Sequence, residues 1–260
     1  MEAIRGNRIN RGLVSIVVLI ILWEFIADFV VKNPFLLPSF IQVIAAFVRL
    51  ARTVLIIDIA TSLLHFLTGL MMSCLIGIPV GSLMGWSRVA DQFLDPIIEI
   101  LRPIPPIAWV PLAIIWFHLT HFSAAFIVFI GAIFPILVNT YVGFRSVERK
   151  LVEAARVLGC NAGWNLIKSV ALPSATPSIM GGIRIGMGVG WMCVVAAEIF
   201  GVSESGIGYR IFQKFYFLHQ MDNLIVYMII LGLIALAFDK IFRRFIDSFL
   251  LRWRSGAVIS

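Results

Sequence analysis

What most constrains this chain is a succession of long, sparsely charged apolar runs at residues 13–31, 59–86, 107–117, 122–144, 177–200 and 224–242. An α-helix needs about 20 such residues to cross the hydrocarbon core of a bilayer. The run at 107–117 falls short, but becomes long enough if residues 97–106 enter the bilayer with it. The runs are continuous, whereas the strands of a membrane barrel alternate apolar and polar residues. The expected fold is therefore an all-α polytopic membrane protein with about six transmembrane helices. Composition excludes an ordinary soluble domain, since 60% of residues are hydrophobic and only 13% are charged.

Arg5, Arg8 and Arg11 precede the first run, as in a signal peptide. That run is too long, carries Glu24 and Asp28 and lacks a small-x-small cleavage site, so it reads as an uncleaved first span. With both termini cytoplasmic, Lys32, Arg49, Arg52, Arg210 and Lys214 fall outside and Arg184 falls within a span, while the other fifteen of the 21 Lys and Arg residues face the cytoplasm. This bias obeys the positive-inside rule. The net charge of +7 is thus a topology signal, and no nucleic-acid partner is needed to explain it. Cys74, Cys160 and Cys193 imply no disulfide framework. No extramembrane stretch is long enough for a second domain, so residues 1–260 are expected to form a single transmembrane domain of the cell membrane.

One polar island, residues 145–173, interrupts the apolar pattern on the cytoplasmic side. It reads as helix–turn–helix. Residues 147–158 are strong helix formers with Val147, Leu151, Ala154, Ala155 and Leu158 at helical spacing, and Gly159 suits a left-handed C-cap. A break at 160–163 precedes a shorter helix over 164–170, expected to stop at Leu172-Pro173. Between the first two spans Pro34 and Pro38 break the chain. Ser39 there fits the N-cap of an amphipathic helix reaching Arg52, with Phe40, Val43, Ile44, Phe47 and Val48 on one face against the outer membrane surface.

Polar residues inside the spans are the candidate site residues, because lipid makes them costly. Arg184 has two readings: a structural ion pair, or a cation in the path of an anionic solute. Gly181, Gly182, Gly186, Gly188 and Gly190 permit close helix packing and also leave room for a path. Pro103, Pro105, Pro106 and Pro111 remove backbone donors at the start of the third span, which is either a plain helix start or an inner gate. Glu24 is placed to pair with another helix, and Glu198, near the outer end of the fifth span, is a gate or rim residue. His118 and His121 flank a short loop without a further metal ligand. No nucleophile–base set, phosphate-cradling loop or metal-ligand set is evident, so catalysis within the chain is not expected.

The order Glu153-Ala154-Ala155, Gly159 and Leu172-Pro173 resembles the cytoplasmic EAA loop of ABC-importer permeases. The run from Arg102 to Leu112, the segment Gly182-Ile183-Arg184-Ile185-Gly186, the stretch from Trp191 to Glu198 and Ser205-Gly206-Ile207-Gly208 are similar to the nitrate, sulfonate, taurine and bicarbonate branch of that family. The stretch from Gly159 to Leu172 is slightly longer than the commonest form, and the turn would absorb the difference. The resemblance implies the membrane-spanning permease of an ATP-driven importer, itself not an enzyme and binding no cofactor, with ATP and Mg on a partner ATPase. It implies two cytoplasmic ATP-binding subunits, a second permease copy, most simply forming a homodimer, and an external solute-binding protein. Residues 145–173 would be the coupling loop, with Glu153, Ala154, Ala155, Gly159, Leu172 and Pro173 meeting the ATPase. Arg102, Pro103, Pro105, Pro106, Arg184, Gly186 and Glu198 would line the translocation path or its gates. The cargo would be a small anion of the nitrate, bicarbonate, sulfonate or taurine class. The alternatives are a heterocyclic vitamin precursor moved by the same mechanism, and ion-coupled secondary transport. The lack of an internal repeat counts against the last.

Overall fold

The first apolar run continues a helix that begins well before it. In the computed structural model, which describes residues 2–160, 163–200 and 203–246 and side-chain burial from residue 14 onward, α1 (Glu2–Phe25) runs into a π-helical turn at Ile26–Val31. The turn residues 161 and 162, the terminal cations Arg252 and Arg254 and the side chains of Arg5, Arg8 and Arg11 lie outside the described residues. After the Pro34–Pro38 break, α2 (Phe40–Ala51) opens with the expected Ser39 cap. The Ser39 hydroxyl accepts the Gln42 amide, and the Gln42 side chain accepts the Ser39 amide. Glu24 adds to this start by accepting the Phe40 amide at 2.6 Å. The expected single apolar face of α2 is split in the structure. Val43, Ala46 and Leu50 are buried against the bundle, whereas Ile41, Ile44, Phe47 and Val48 stay exposed, as suits lipid.

Three long helices form the core: α3 (Leu55–Trp86), α6 (His121–Arg145) and α9 (Leu172–Ile199), with α6 between the other two. Gly69, Ser73, Gly77, Gly81 and Gly85 recur every fourth residue and so make one ridge of α3. A β-carbon on Gly81 would lie 2.5 Å from Leu137 O, and one on Gly85 would lie 2.5 Å from Phe144 Cβ. Gly182 and Gly186 also bring α9 close to α6, since β-carbons there would sit 3.0 Å from Pro135 O and Ala132 O. Helices in lipid gain little from the hydrophobic effect, so close backbone approach and the dispersion it allows hold them together. The residue pairs in contact advance together along α3 and α6 and in opposite senses along α6 and α9, so α3 runs parallel to α6 and α9 antiparallel.

The third span is broken rather than continuous. α4 (Arg88–Leu101) and the helical stretch that starts at Pro106 and continues as α5 (Val110–Phe117) meet at 89°. Pro103, Pro105 and Pro106 offer no amides to carry a helix through the bend. Residues 97–106 therefore turn sharply instead of leading straight into the bilayer. α4 has no buried residue and leaves Val89, Phe93, Ile97 and Ile100 exposed. Among the described residues, five helices are long and apolar enough to cross a membrane alone, and counting the bent pair as one span gives six.

The second helix of the polar island does not stop at Leu172-Pro173. After α7 (Arg149–Val157), α8 (Gly163–Leu166) passes through a π-helical turn at Ile167–Ala171 directly into α9. Residues 163–199 thus form one 37-residue helix. The widened turn just before Pro173, with the Leu172 amide bonded to Ile167 O, makes room for the pyrrolidine ring and for its missing donor. The chain then forms α10 (Ile207–Tyr209), a π-helical turn at Arg210–Tyr216 and α11 (Met221–Phe245). α11 packs along α2, where Arg49 meets Asp222 at 2.9 Å.

Candidate functional site

Soluble residues collect on α7, between α6 and the long α8–α9 helix. No residue of α7 is buried. Glu153 and Ala154 are exposed and Ala155 is half-buried. Leu151 is 47% exposed, and Val157 and Leu158 are each 87% exposed, so a charged helix carries an apolar patch. The helix ends as the sequence predicts. The Cys160 amide bonds Ala155 O at 2.9 Å, the Gly159 amide bonds Arg156 O at 3.0 Å, and Gly159 takes φ +89°. Among the described residues nothing lies within 4 Å of a β-carbon placed on Gly159, whose positive φ is what calls for glycine. Leu172 and Pro173 are exposed and sit inside the long helix.

A second group of candidates meets where α4 breaks. Cavities of about 370 and 580 Å³ adjoin there and share Arg102 and Val138. Pro106, Phe134, Asn139 and Ile185 line the smaller, joining the bend to α6 and α9. Asp95, Glu99, Pro103 and Tyr141 line the larger. The Arg102 guanidinium has no hydrogen-bond or ion-pair partner among the described residues. Pro105 is exposed beside them. Gly186 does not line either cavity; it is buried against Ala132 and Ile136. Arg184 also stands apart. It is exposed on α9 and forms a two-pronged pair with Asp239 of α11, at 2.6 and 3.0 Å.

At the opposite end of the bundle lies a polar cluster that the sequence reading does not anticipate. Glu198, placed by that reading at a gate or rim, is fully buried. Its carboxylate accepts the Ser62 hydroxyl at 2.8 Å, the Gly208 amide at 2.8 Å and a hydrogen bond from His65 Nδ1 at 2.8 Å. His65 Nε2 in turn faces Nδ1 of the exposed His121 at 2.8 Å. Asp58, also fully buried, binds Arg210 Nε at 2.9 Å, the Tyr227 hydroxyl at 2.6 Å and the Gly206 amide at 3.2 Å. Ser62 accepts the Ile207 amide at 2.9 Å. Gly206 takes φ +131°, and a β-carbon there would lie 2.5 Å from the Glu198 carboxyl carbon. The available signal was Asp58, Ser62 and His65 on one face of an otherwise apolar helix. His118 is not part of this cluster.

Known proteins are similar to this chain in sequence. Residues 77–255 match the protein family described as binding-protein-dependent transport system inner membrane component. The chain is 41% identical to a Methanocaldococcus jannaschii protein assigned as an ABC transporter permease, across 90% of this chain and 88% of that one. It is 33% identical to a Bacillus subtilis protein assigned as an aliphatic sulfonates transport permease, across 95% and 88% of the two chains. It is 32% identical to the taurine transport system permease protein of Escherichia coli, across 79% and 76%. The matched region contains α7, the broken span and Glu198, so the chain belongs to the family of binding-protein-dependent transport system inner membrane components.

Proposed function

We propose that this chain is the permease of an importer for a small anion of the sulfonate, taurine or bicarbonate class, acting as a homodimer on two ATP-binding subunits. Family membership makes it a multi-pass membrane subunit of an ABC transporter, served by ATP-binding subunits and a binding protein, and not itself an enzyme. The observation that carries the coupling role is exposed α7, with Leu151, Val157 and Leu158 beside Glu153. An ATP-binding subunit seated there would press on a short lever joined by the Gly159 turn to a 37-residue helix of the core. ATP and Mg belong to that partner. In the cycle we infer, ATP binding draws two α7 helices together, closes the inner side near Pro103–Pro106 and opens the far side.

Relatives named for sulfonates and taurine support an anionic cargo. So does Arg102, unpaired among the described residues and lining a cavity, since a guanidinium fits planar or tetrahedral oxyanions with two donors. For the second copy, Gly181, Ile185, Gly188 and Met192 follow one face of α9, and β-carbons on Gly181 and Gly188 would meet nothing within 4 Å. The test is reconstitution in liposomes with an ATP-binding subunit and a binding protein. ATP-driven uptake of a sulfonate is expected. Val157→Asp with Leu158→Asp should leave membrane assembly intact but lose the ATP-binding subunit on co-purification. Retained binding and uptake by that variant would sink the coupling assignment.

A further inference from the structure

Where α11 meets α9 the two helices leave a groove that neither α7 nor the Arg102 cavities use. The two-pronged Arg184–Asp239 pair ties the helices at one end of it, at 2.6 and 3.0 Å. At the other end the Trp191 indole donates to Leu231 O at 3.1 Å. The ties lie about 10 Å apart along α9, the rise from residue 184 to residue 191. Between them the chain does not fill the space. Gly188 has no side chain there, and among the described residues a β-carbon on it would meet nothing within 4 Å. The cavity that results has a volume of about 230 Å³, and Met187, Met192, Ala235 and Phe242 help to line it. Trp191 and Phe238 also line it, edge to face with centroids 5.4 Å apart. Buried Phe66 of α3 backs both rings at 5.4 and 4.8 Å, so this wall is braced by three aromatic side chains.

We propose that this groove binds an anionic phospholipid, with its phosphodiester on Arg184 and Arg243 and one acyl chain laid along Met187, Trp191, Ala235 and Phe238. The charged end supplies the argument for the headgroup. Arg184 and Asp239 are 43% and 45% exposed on spanning helices, where an exposed charge needs an acceptor or a path to water. Asp239 takes the Arg184 Nε hydrogen and one from Nη2, which leaves Nη1 with no acceptor among the described residues. A guanidinium edge of this kind fits two oxygens of a phosphodiester. Arg243 is exposed and follows Asp239 by one turn on the same face of α11. Two cations against one carboxylate leave one positive charge in excess at this end. A choline headgroup would bring a further cation beside Arg243, whereas a glycerol headgroup brings none. Basic pockets between spanning helices hold anionic lipids on the same grounds. The rest of the groove offers an acyl chain rings and thioethers in place of water. A lipid seated there fills the gap between the two ties and so fastens α11 to α9. The groove opens on the α11 side of α9, and Gly188 and Met192 border both it and the face assigned to the second copy.

The test uses the full chain in nanodiscs that carry phosphatidylglycerol or phosphatidylcholine with a diazirine on one acyl chain. After photolysis, peptide mass spectrometry should place adducts on residues 187–192 and 231–238. Phosphatidylglycerol should give about fivefold more of them, the preference that one surplus cation confers. Equal labelling by the two lipids would overturn the headgroup assignment, and adducts confined to other faces would overturn the site. Adducts in the groove of monomeric but not of dimeric protein would give the space to the second copy and overturn the proposal as well. Arg243→Gln removes the surplus charge and leaves the Arg184–Asp239 tie in place. It should bring the two lipids to equal retention in native mass spectrometry. Ala235→Phe fills the groove and leaves the charges, so it should retain neither lipid. A preference that survives Arg243→Gln, or native lipid retention by Ala235→Phe, would sink the assignment. Excess glycerol phosphate should not displace the bound lipid; displacement would make this a site for soluble phosphate and not for lipid. None of these measurements requires transport, so they decide the groove whatever becomes of the importer reading.

Discussion

Gly81 and Gly188 are both helix glycines in membrane-spanning segments, yet the structure gives them opposite roles. Alanine is the better helix former by about 1 kcal/mol. At Gly188 nothing opposes that gain within the chain, so Gly188→Ala should hold or raise the melting temperature in detergent. At Gly81 a methyl would meet a backbone oxygen at 2.5 Å, and Gly81→Ala should lower stability by about 1–3 kcal/mol through overpacking. Gly159 supplies a third case. Its φ of +89° costs an ordinary side chain about 1–2 kcal/mol, and asparagine tolerates it better than alanine. Co-purified ATP-binding subunit should therefore follow glycine, then Gly159→Asn, then Gly159→Ala; equal retention by all three would show that the turn does not position α7. Gly159 was legible because a helix end depends on its immediate neighbours. The Glu198 cluster was not, because Ser62 and His65 lie 136 and 133 residues away from it and nothing local marks them as partners.

At the scale of elements, the π-helical turn at Ile167–Ala171 sets how α7 is aimed relative to α9. A π turn holds an extra residue compared with a regular helix, and each residue turns a helix by about 100°. Deleting Ser169 together with Pro173→Ala should restore a regular helix. The Gly182 and Gly186 contacts with α6 should survive, giving normal membrane levels, while α7 points elsewhere and ATP-driven uptake is lost. Preserved uptake would mean that the linker, and not the helix register, aims α7. The sequence reading located both helices of the island, but ended the second at Pro173. Proline normally does end helices, and its tolerance here depends on a register shift that propensity does not encode. The amphipathic α2 was legible from its period and from Ser39; which of its two apolar stripes faces protein was set by the docking of α11.

For the whole molecule, the exposed α9 face is the surface on which homodimer formation is expected. Gly188→Leu should leave the monomer fold unchanged, since its side chain has open space, but should shift the purified permease toward monomer in light scattering. An unchanged dimer would place the second copy elsewhere. The sequence alone determined that the chain is a helical membrane protein, how many apolar segments it has, where its one soluble helix lies and which family it resembles. These follow from sums over neighbouring residues, because lipid fixes segment length and requires backbone groups to be satisfied locally. Tertiary structure alone decided that Arg184 meets Asp239, that Glu198 is buried against α3 and that the third span bends by 89° around Arg102. A charge in a low-dielectric interior is stable only beside its partner, and which distant helix brings that partner is settled when the helices pack.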